Sequence, residues 1–114
     1  MTELYIEQTL QDLHINRRYT GRGQLADSVG MALADENALL KLQRRIYTPV
    51  AARYNSTAGS VERNIRTVSR VAWETSPDAL QKMAGYALYG PPSAAELIEI
   101  LLTHIQRTWP ETRS

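Results

Sequence analysis

The clearest structural signal in the chain is the spacing of its apolar residues between positions 57 and 74. Val61, Ile65, Val68 and Ala72 recur every three or four residues, which predicts an α-helix with one face toward a core. Polar and charged residues occupy its other faces. Shortly before it, Pro49 suits the first turn of a short helix, because proline has no N–H to lose there. The pattern therefore predicts a short helix followed by a long amphipathic one.

The residues between these two helices predict a tight turn. Asn55 tolerates the left-handed backbone conformation that such a turn often requires. Ser56 or Thr57 can then accept hydrogen bonds from the N–H groups that begin the second helix. Two helices joined by a tight turn over residues 48–66, with charged residues on the exposed face of the second, are typical of a helix-turn-helix that binds a DNA groove.

The apolar pattern predicts further helices before this motif. A stripe between Leu4 and Ile15 predicts a first helix over residues 3–14, and a polar, glycine-bearing segment follows at 16–23. Apolar stripes at 25–33 and 39–46 predict a second and a third helix. Pro49 either kinks the third segment or begins a separate short helix, and the sequence leaves both alternatives open.

After the motif, the pattern predicts two more helices. Ser76 is placed to cap a short helix through Gly85, and residues 89–93 form a loop. Ser93 and Glu96 have the spacing of a capping box, which begins a last helix that ends near Trp109. No alternating strand pattern competes. The sequence therefore predicts an all-α fold, a compact bundle of about six helices that forms one domain over residues 1–114.

Composition limits the function classes without identifying one. Of the 114 residues, 43% are hydrophobic and 22% are charged, which is typical of a folded globular domain. The net charge is only +1, so a DNA-binding surface requires local clustering of basic residues. Without a secretory signal or an apolar stretch long enough to cross a membrane, we expect a cytoplasmic location and no membrane partner.

The inventory of reactive residues argues against catalysis. The chain has no cysteine, which excludes disulfides and thiolate metal sites. Its two histidines, His14 and His104, lie far apart in sequence and have no cluster of carboxylates beside them. No Ser, His and Asp arrangement suggests a nucleophile. We therefore predict no enzyme activity, no metal site and no cofactor.

Several short motifs lie in and around the predicted helix-turn-helix. They are Tyr47 with Ala51, Tyr-Asn-Ser-Thr-Ala at 54–58, Val-Glu-Arg-x-Ile-Arg at 61–66, Val-Ala-Trp at 71–73 and Gly-Tyr at 85–86. Together they resemble the C-terminal DNA-binding effector domain of the stage-zero sporulation response regulator of endospore-forming bacteria. Weaker similarity covers most of the chain, so the resemblance implies a six-helix fold.

The resemblance also implies how DNA is bound. In that family the recognition helix enters the major groove of a TGTCGAA-like box, and the residues at the positions of Glu62 and Arg63 contact base edges. Arginine donates two N–H groups to guanine, and a carboxylate accepts from the cytosine amino group. Arg66 lies one turn beyond Glu62 and supports that carboxylate or contacts a phosphate. Ser56 and Thr57, at the helix start, are expected to contact the DNA backbone.

Two local departures from the family bear on specificity. Ser60 stands where the family usually has arginine, so one strong guanine contact is replaced by a serine. We place Ser60 among the base contacts as well, although a serine near a helix start is as often only a cap. The loop at 89–92 lacks the lysines that relatives often carry there, which removes some attraction to phosphates. An altered box preference or a lower affinity is expected.

A larger departure is the receiver domain, which precedes the effector domain in the family and does not occur in this sequence. Phosphorylation control within the chain is therefore not expected. Two explanations remain open: an excised segment of a longer regulator, or a freestanding effector domain.

The competing hypothesis is a protein-interaction module that keeps the fold and modulates a related regulator or RNA polymerase without binding DNA. In relatives, the region of Leu80, Met83 and Ala84 touches the polymerase sigma subunit. Effector domains of that family also pair head to tail on tandem boxes. The expected partners are therefore double-stranded DNA, the sigma subunit and a second copy of the chain.

Overall fold

Residues 2–108 fold into six α-helices that are joined mostly by short segments. The computed structural model describes residues 2–108, and no strand occurs within that range. The prediction of an all-α fold of about six helices is confirmed. The helices are α1 (Thr2–Asp12), α2 (Thr20–Ala34), α3 (Thr48–Arg53), α4 (Ala58–Thr75), α5 (Pro77–Ala84) and α6 (Ala94–Thr108).

One continuous apolar core holds these helices together. All four apolar residues that predicted α4 are fully buried in it, because their helical spacing places them on one face. The central helix is α2, which packs against α1, α3, α4 and α6, and its contact with α4 is the most extensive between two elements. The α6 helix contributes another apolar face, formed by Leu97, Ile98, Leu101, Leu102 and Ile105.

The start of α2 departs from the sequence prediction. The polar, glycine-bearing segment at 16–23 was placed between the first and second predicted helices, but α2 begins at Thr20 and contains both Gly21 and Gly23. A Cβ atom on Gly21 would lie 2.2 Å from the carbonyl oxygen of Asn64, and one on Gly23 would lie 2.6 Å from the Tyr54 hydroxyl oxygen. The glycines therefore permit close helix packing, which outweighs their low helix propensity.

The segment between α2 and α3 is helical but not a regular α-helix. A 3₁₀-helix at Glu36–Lys41 is followed by a π-helix at Gln43–Tyr47, so the predicted third α-helix is wrong in type. The Leu40 side chain, predicted to be apolar core, is 82% exposed. Both the backbone N–H and the hydroxyl of Thr48 donate to the Gln43 carbonyl, which closes the π turn. Pro49 then lies in the first turn of α3.

Helix ends agree with the predicted caps in part. The backbone N–H of Glu96 donates to Ser93 Oγ at 3.1 Å, as a capping box requires, but the Glu96 carboxylate accepts from the Tyr86 hydroxyl. The Ser76 side chain does not cap α5, because its hydroxyl donates to the Leu13 carbonyl at 3.1 Å. The α5 helix ends one residue before Gly85, whose φ of 80° is left-handed. Trp109 lies outside the described residues.

A buried ion pair joins α1 to the start of α2. Arg22 Nη1 lies 3.0 and 3.1 Å from the two carboxylate oxygens of Glu7, and Arg22 Nε donates to the Ile15 carbonyl at 2.9 Å. Only 7% of the Arg22 side chain is exposed. Because the guanidinium is paired and hydrogen-bonded, its burial at this junction is tolerated.

Between residues 2 and 108, no helix is both long enough and apolar enough to cross a lipid bilayer.

Candidate nucleic-acid interface

The predicted helix-turn-helix is formed by α3, a turn and α4. Asn55 has a φ of 51°, so it adopts the left-handed conformation expected of it. The Ser56 N–H donates to the Ala51 carbonyl at 2.9 Å and closes the turn. Of the two predicted caps, Thr57 caps α4, because its hydroxyl oxygen accepts from the Ser60 N–H at 3.1 Å. Local sequence therefore determines where the long helix begins.

The surface of α4 opposite the core carries three arginines. Arg63, Arg66 and Arg70 are all exposed, and the eight residues from the first to the last span about two helical turns. Because the net charge is only +1, a DNA-binding surface requires a local cluster of basic residues, and this row of arginines is such a cluster. We name it the arginine face of α4.

Two pairs of interacting side chains on α4 include the predicted base-contact residues. Arg66 Nη2 lies 3.6 Å from Glu62 Oε1, so the expected support of that carboxylate by Arg66 is present in the structure. Arg63 Nη2 donates to Ser60 Oγ at 3.2 Å. Both pairs are partly exposed, and each can open when DNA offers a better partner. Ser60, Glu62, Arg63 and Arg66 therefore lie together on the first two turns of α4, with Ser56 and Thr57 exposed in the preceding turn.

Tyr47 ends the π-helix that packs against α4, and it was not predicted as a site residue. Its side chain is buried, and burial raises the pKa of Tyr47 to about 12, with the negative charge of Glu62 adding to the increase. The phenol therefore stays protonated at neutral pH. Its only sequence signal was the Tyr-x-x-x-Ala motif, which carried no role by itself.

A polar cluster fixes the end of α3 to α2. Burial raises the pKa of Tyr54, and the charge of Asp27 and its hydrogen bond with the Tyr54 hydroxyl raise it further. Arg53 Nη1 lies 3.8 Å from Asp27 Oδ1. One carboxylate on α2 therefore interacts with two consecutive residues at the start of the turn. Sequence reasoning missed this cluster because its members lie in separate helices.

A second link joins α2 directly to α4. Asn64 Nδ2 donates to Gln24 Oε1 at 3.1 Å, and Gln24 is only 1% exposed. Gly21 lies one turn earlier on α2, against the backbone of the same asparagine. These contacts place Asn64, the neighbour of Arg63, on the boundary between the core and the arginine face.

Two of the three residues in the predicted polymerase-contact region have buried side chains. Leu80 is fully buried, Met83 is buried, and Ala84 is half-buried. They form the inner side of α5, because their spacing follows the helical repeat toward α6. The exposed side of α5 carries Asp78 and Lys82 instead.

The described residues contain no group of three His, Asp or Glu side chains close enough to hold a metal ion. His14 is exposed and has a left-handed φ of 57°, whereas His104 is half-buried on α6. Burial, followed by the charge of Arg107, lowers the pKa of His104.

A short helix, a tight turn and a longer helix with exposed basic residues form the arrangement found in helix-turn-helix DNA-binding domains. The family model described as sporulation initiation factor Spo0A C terminal matches residues 6–105. The chain therefore belongs to this family, and the resemblance stated from its motifs is confirmed. It is a DNA-binding regulatory domain of the sporulation type, and the family is not one of known enzymes.

Proposed function

We propose that the chain is a sequence-specific double-stranded DNA-binding protein that regulates transcription, with α4 in the major groove of a TGTCGAA-like box. The observation that carries this proposal is the arginine face of α4, which the helix-turn-helix leaves exposed. An α-helix fits the major groove, where each base pair presents a distinct pattern of donors and acceptors. The family match supports DNA binding in general, and the residues below give it a specific form.

Arg63 and Glu62 are the proposed base-reading residues. Arg63 is exposed and its guanidinium donates to Ser60 Oγ at 3.2 Å, so little is lost when it turns toward guanine instead. Glu62 keeps a carboxylate oxygen available to accept from cytosine while Arg66 neutralises its charge at 3.6 Å. A good bidentate contact discriminates between bases by about 1–3 kcal/mol. Ser60 contributes a weaker contact, because a hydroxyl accepts or donates with several bases.

Ser56, Thr57 and Arg66 are the proposed contacts to the DNA backbone. The hydroxyl oxygen of Thr57 already accepts from Ser60, but its proton remains available to donate to a phosphate. Ser56 is exposed beside it, at the positive end of the α4 dipole. These contacts position the helix without carrying sequence information.

The test is fluorescence anisotropy with a labelled duplex that carries the TGTCGAA-like box and a scrambled duplex of the same length. Both are titrated at several salt concentrations, because phosphate contacts weaken as salt rises. We expect a preference for the box that persists at higher salt. Equal, salt-sensitive binding to both duplexes would contradict the proposal.

Two substitutions test whether Arg63 and Glu62 discriminate the box from the scrambled duplex. Arg63→Ala and Glu62→Ala should each reduce discrimination by about 1–3 kcal/mol, with little change in binding to the scrambled duplex. Glu74→Ala, at the exposed far end of the same helix, is the matched control and should leave discrimination unchanged. If Arg63→Ala and Glu62→Ala both bound the box as tightly as the parent, the base-contact assignment would be wrong.

The proposal extends to protein partners and to location. We propose that α5 contacts the polymerase sigma subunit through its exposed Asp78 and Lys82, since Leu80 and Met83 are buried. Two copies are proposed to bind tandem boxes head to tail, each through residues 1–114 acting as one domain. A cytoplasmic location follows from binding to chromosomal DNA.

The alternative function is a protein-interaction module that modulates a related regulator or RNA polymerase without reading DNA. The exposed charges of α5 are the observation in its favour. Lys82→Glu tests the α5 contact with the sigma subunit, which both functions include: it should leave DNA binding intact and weaken capture of purified sigma subunit. The binding of the parent protein to the box and to the scrambled duplex separates the two functions. Under the alternative, sigma capture would be strong while the box and scrambled duplexes bound equally.

A further inference from the structure

We propose that Gln24 and Gly21 of α2 are positioning residues that set the rotation of the recognition helix α4, and through it the sequence discrimination of the protein. The inference rests on the proposed function, because it assigns the orientation of the helix that reads DNA. Neither residue lies on the arginine face, so neither is placed to contact DNA itself.

The first observation is the polar pair within an otherwise apolar contact. The apolar core residues of α4 are Val61, Ile65, Val68 and Ala72, and the burial of apolar side chains is non-directional. The hydrogen bond from Asn64 Nδ2 to Gln24 Oε1 is directional, at 3.1 Å, and it joins residues 40 positions apart. Since Gln24 is 1% exposed, water does not offer its amide an equal partner. The pair therefore favours one rotation of α4.

The second observation is the closeness of the two backbones at the same point. A Cβ atom at Gly21 would lie 2.2 Å from the Asn64 carbonyl oxygen, 2.7 Å from its carbonyl carbon and 2.8 Å from Val68 Cγ2. A backbone group cannot move aside as a flexible side chain can. Gly21 therefore sets how closely α4 approaches α2, while Gln24 sets how α4 is turned.

The position of Asn64 makes this orientation matter for DNA. Asn64 is adjacent to Arg63 and two residues from Glu62, the proposed base contacts. Side chains end about 5–6 Å from a helix axis, so a rotation of about 10° moves their ends by about 1 Å. Recognition requires donors and acceptors placed within about 0.5 Å. A small roll of α4 would therefore weaken base contacts and leave the salt-dependent attraction to phosphates nearly unchanged.

The test replaces both members of the pair by apolar residues of similar size, in the double variant Gln24→Met/Asn64→Leu. Replacing both partners leaves no unpaired polar group, so the variant should unfold at nearly the temperature of the parent. We expect its preference for the TGTCGAA-like box over the scrambled duplex to fall about tenfold, with affinity for the scrambled duplex unchanged. A double variant that kept the parent's preference would overturn the proposal.

A second pair of variants tests the backbone contact and covers the case in which the double variant fails to fold. Gly21→Ala introduces the clash with Asn64, whereas Gly30→Ala adds a methyl group to the same helix with only Ile6 Cδ1 near it, at 3.8 Å. Gly21→Ala should lower the box preference, and Gly30→Ala should not. Equal preferences in these two variants would overturn the role of Gly21, as would a Gly21→Ala variant that lost affinity for both duplexes in parallel with its thermal stability.

The parent protein separates failure of this inference from failure of the proposed function. If the parent does not prefer the box, the proposed sequence-specific DNA binding is wrong. The orientation of α4 is then monitored without DNA, by the amide chemical shifts of residues 58–66. Shifts that change along the whole exposed face in the double variant, and not in Gly30→Ala, would still support the positioning role. Changes confined to the neighbours of residue 64 would oppose it.

Discussion

The buried ion pair between α1 and α2 gives the sharpest prediction about stability. Glu7 forms ion pairs with two arginines that differ in burial. The Arg22 side chain is 7% exposed, and the Arg17 side chain is 80% exposed. Both N···O distances are similar, at 3.0 Å for Arg22 and 3.2 Å for Arg17. Glu7→Ala therefore removes one buried and one exposed pair at the same carboxylate, whereas Arg17→Ala removes only the exposed one.

The two substitutions should differ strongly in the free energy of unfolding. Glu7→Ala leaves the Arg22 guanidinium buried with the Ile15 carbonyl, and removing one partner of a buried pair costs about 3–5 kcal/mol. Because the Glu7 side chain is 38% exposed, water reaches one side of the pair, and we expect the lower end, about 3 kcal/mol. For a chain of this size that corresponds to a fall in Tm of about 12–24 °C. Arg17→Ala should change stability by less than about 1 kcal/mol.

The assay is thermal and urea unfolding followed by far-ultraviolet circular dichroism. A third variant, Glu7→Leu/Arg22→Met, removes both charges together and should recover much of the stability that Glu7→Ala loses, because no unpaired buried charge remains. If Glu7→Ala and Arg17→Ala unfolded within about 0.5 kcal/mol of each other, the argument from burial would be refuted.

Three further predictions concern the cap of α4, the π-helix and α5. Thr57→Ala should cost about 1 kcal/mol by removing the cap of α4, whereas Ser56→Ala should stay within about 0.5 kcal/mol, and urea unfolding compares them. Burial and Glu62 raise the pKa of Tyr47 from 10.0 to about 12, so the stability it contributes is fully present below pH 10 and is lost as pH rises toward 12. Glu62→Gln should lower that pKa, as read from tyrosinate absorbance with Tyr47→Phe as the reference; an unchanged value would contradict the coupling. Leu80→Ala should cost about 2–5 kcal/mol in thermal unfolding because it leaves a cavity, and a stable variant with only sigma binding impaired would show that Leu80 acts at the surface.

The sequence was most informative where the deciding interactions are local. The core face of α4 followed from a repeat of three to four residues, and the turn followed from Asn55 and Thr57, whose preferred conformations depend on their own side chains. The Glu62–Arg66 pair was also predictable, because residues four apart on a helix are neighbours. The exposed arginine face follows from the same repeat.

The tertiary structure decided what depends on distances between helices. Gly21 and Gly23 resembled loop residues until α4 and Tyr54 were placed against them. Leu80 and Met83 became core residues once α5 packed on α6. The Glu7–Arg22 and Gln24–Asn64 pairs join residues 15 and 40 positions apart, and no local pattern encodes such separations. Helix periodicity and caps act within a few residues, so the sequence alone determined most of the helices and the faces that they bury. Close packing of those faces in the tertiary structure determined how α4 is oriented against α2.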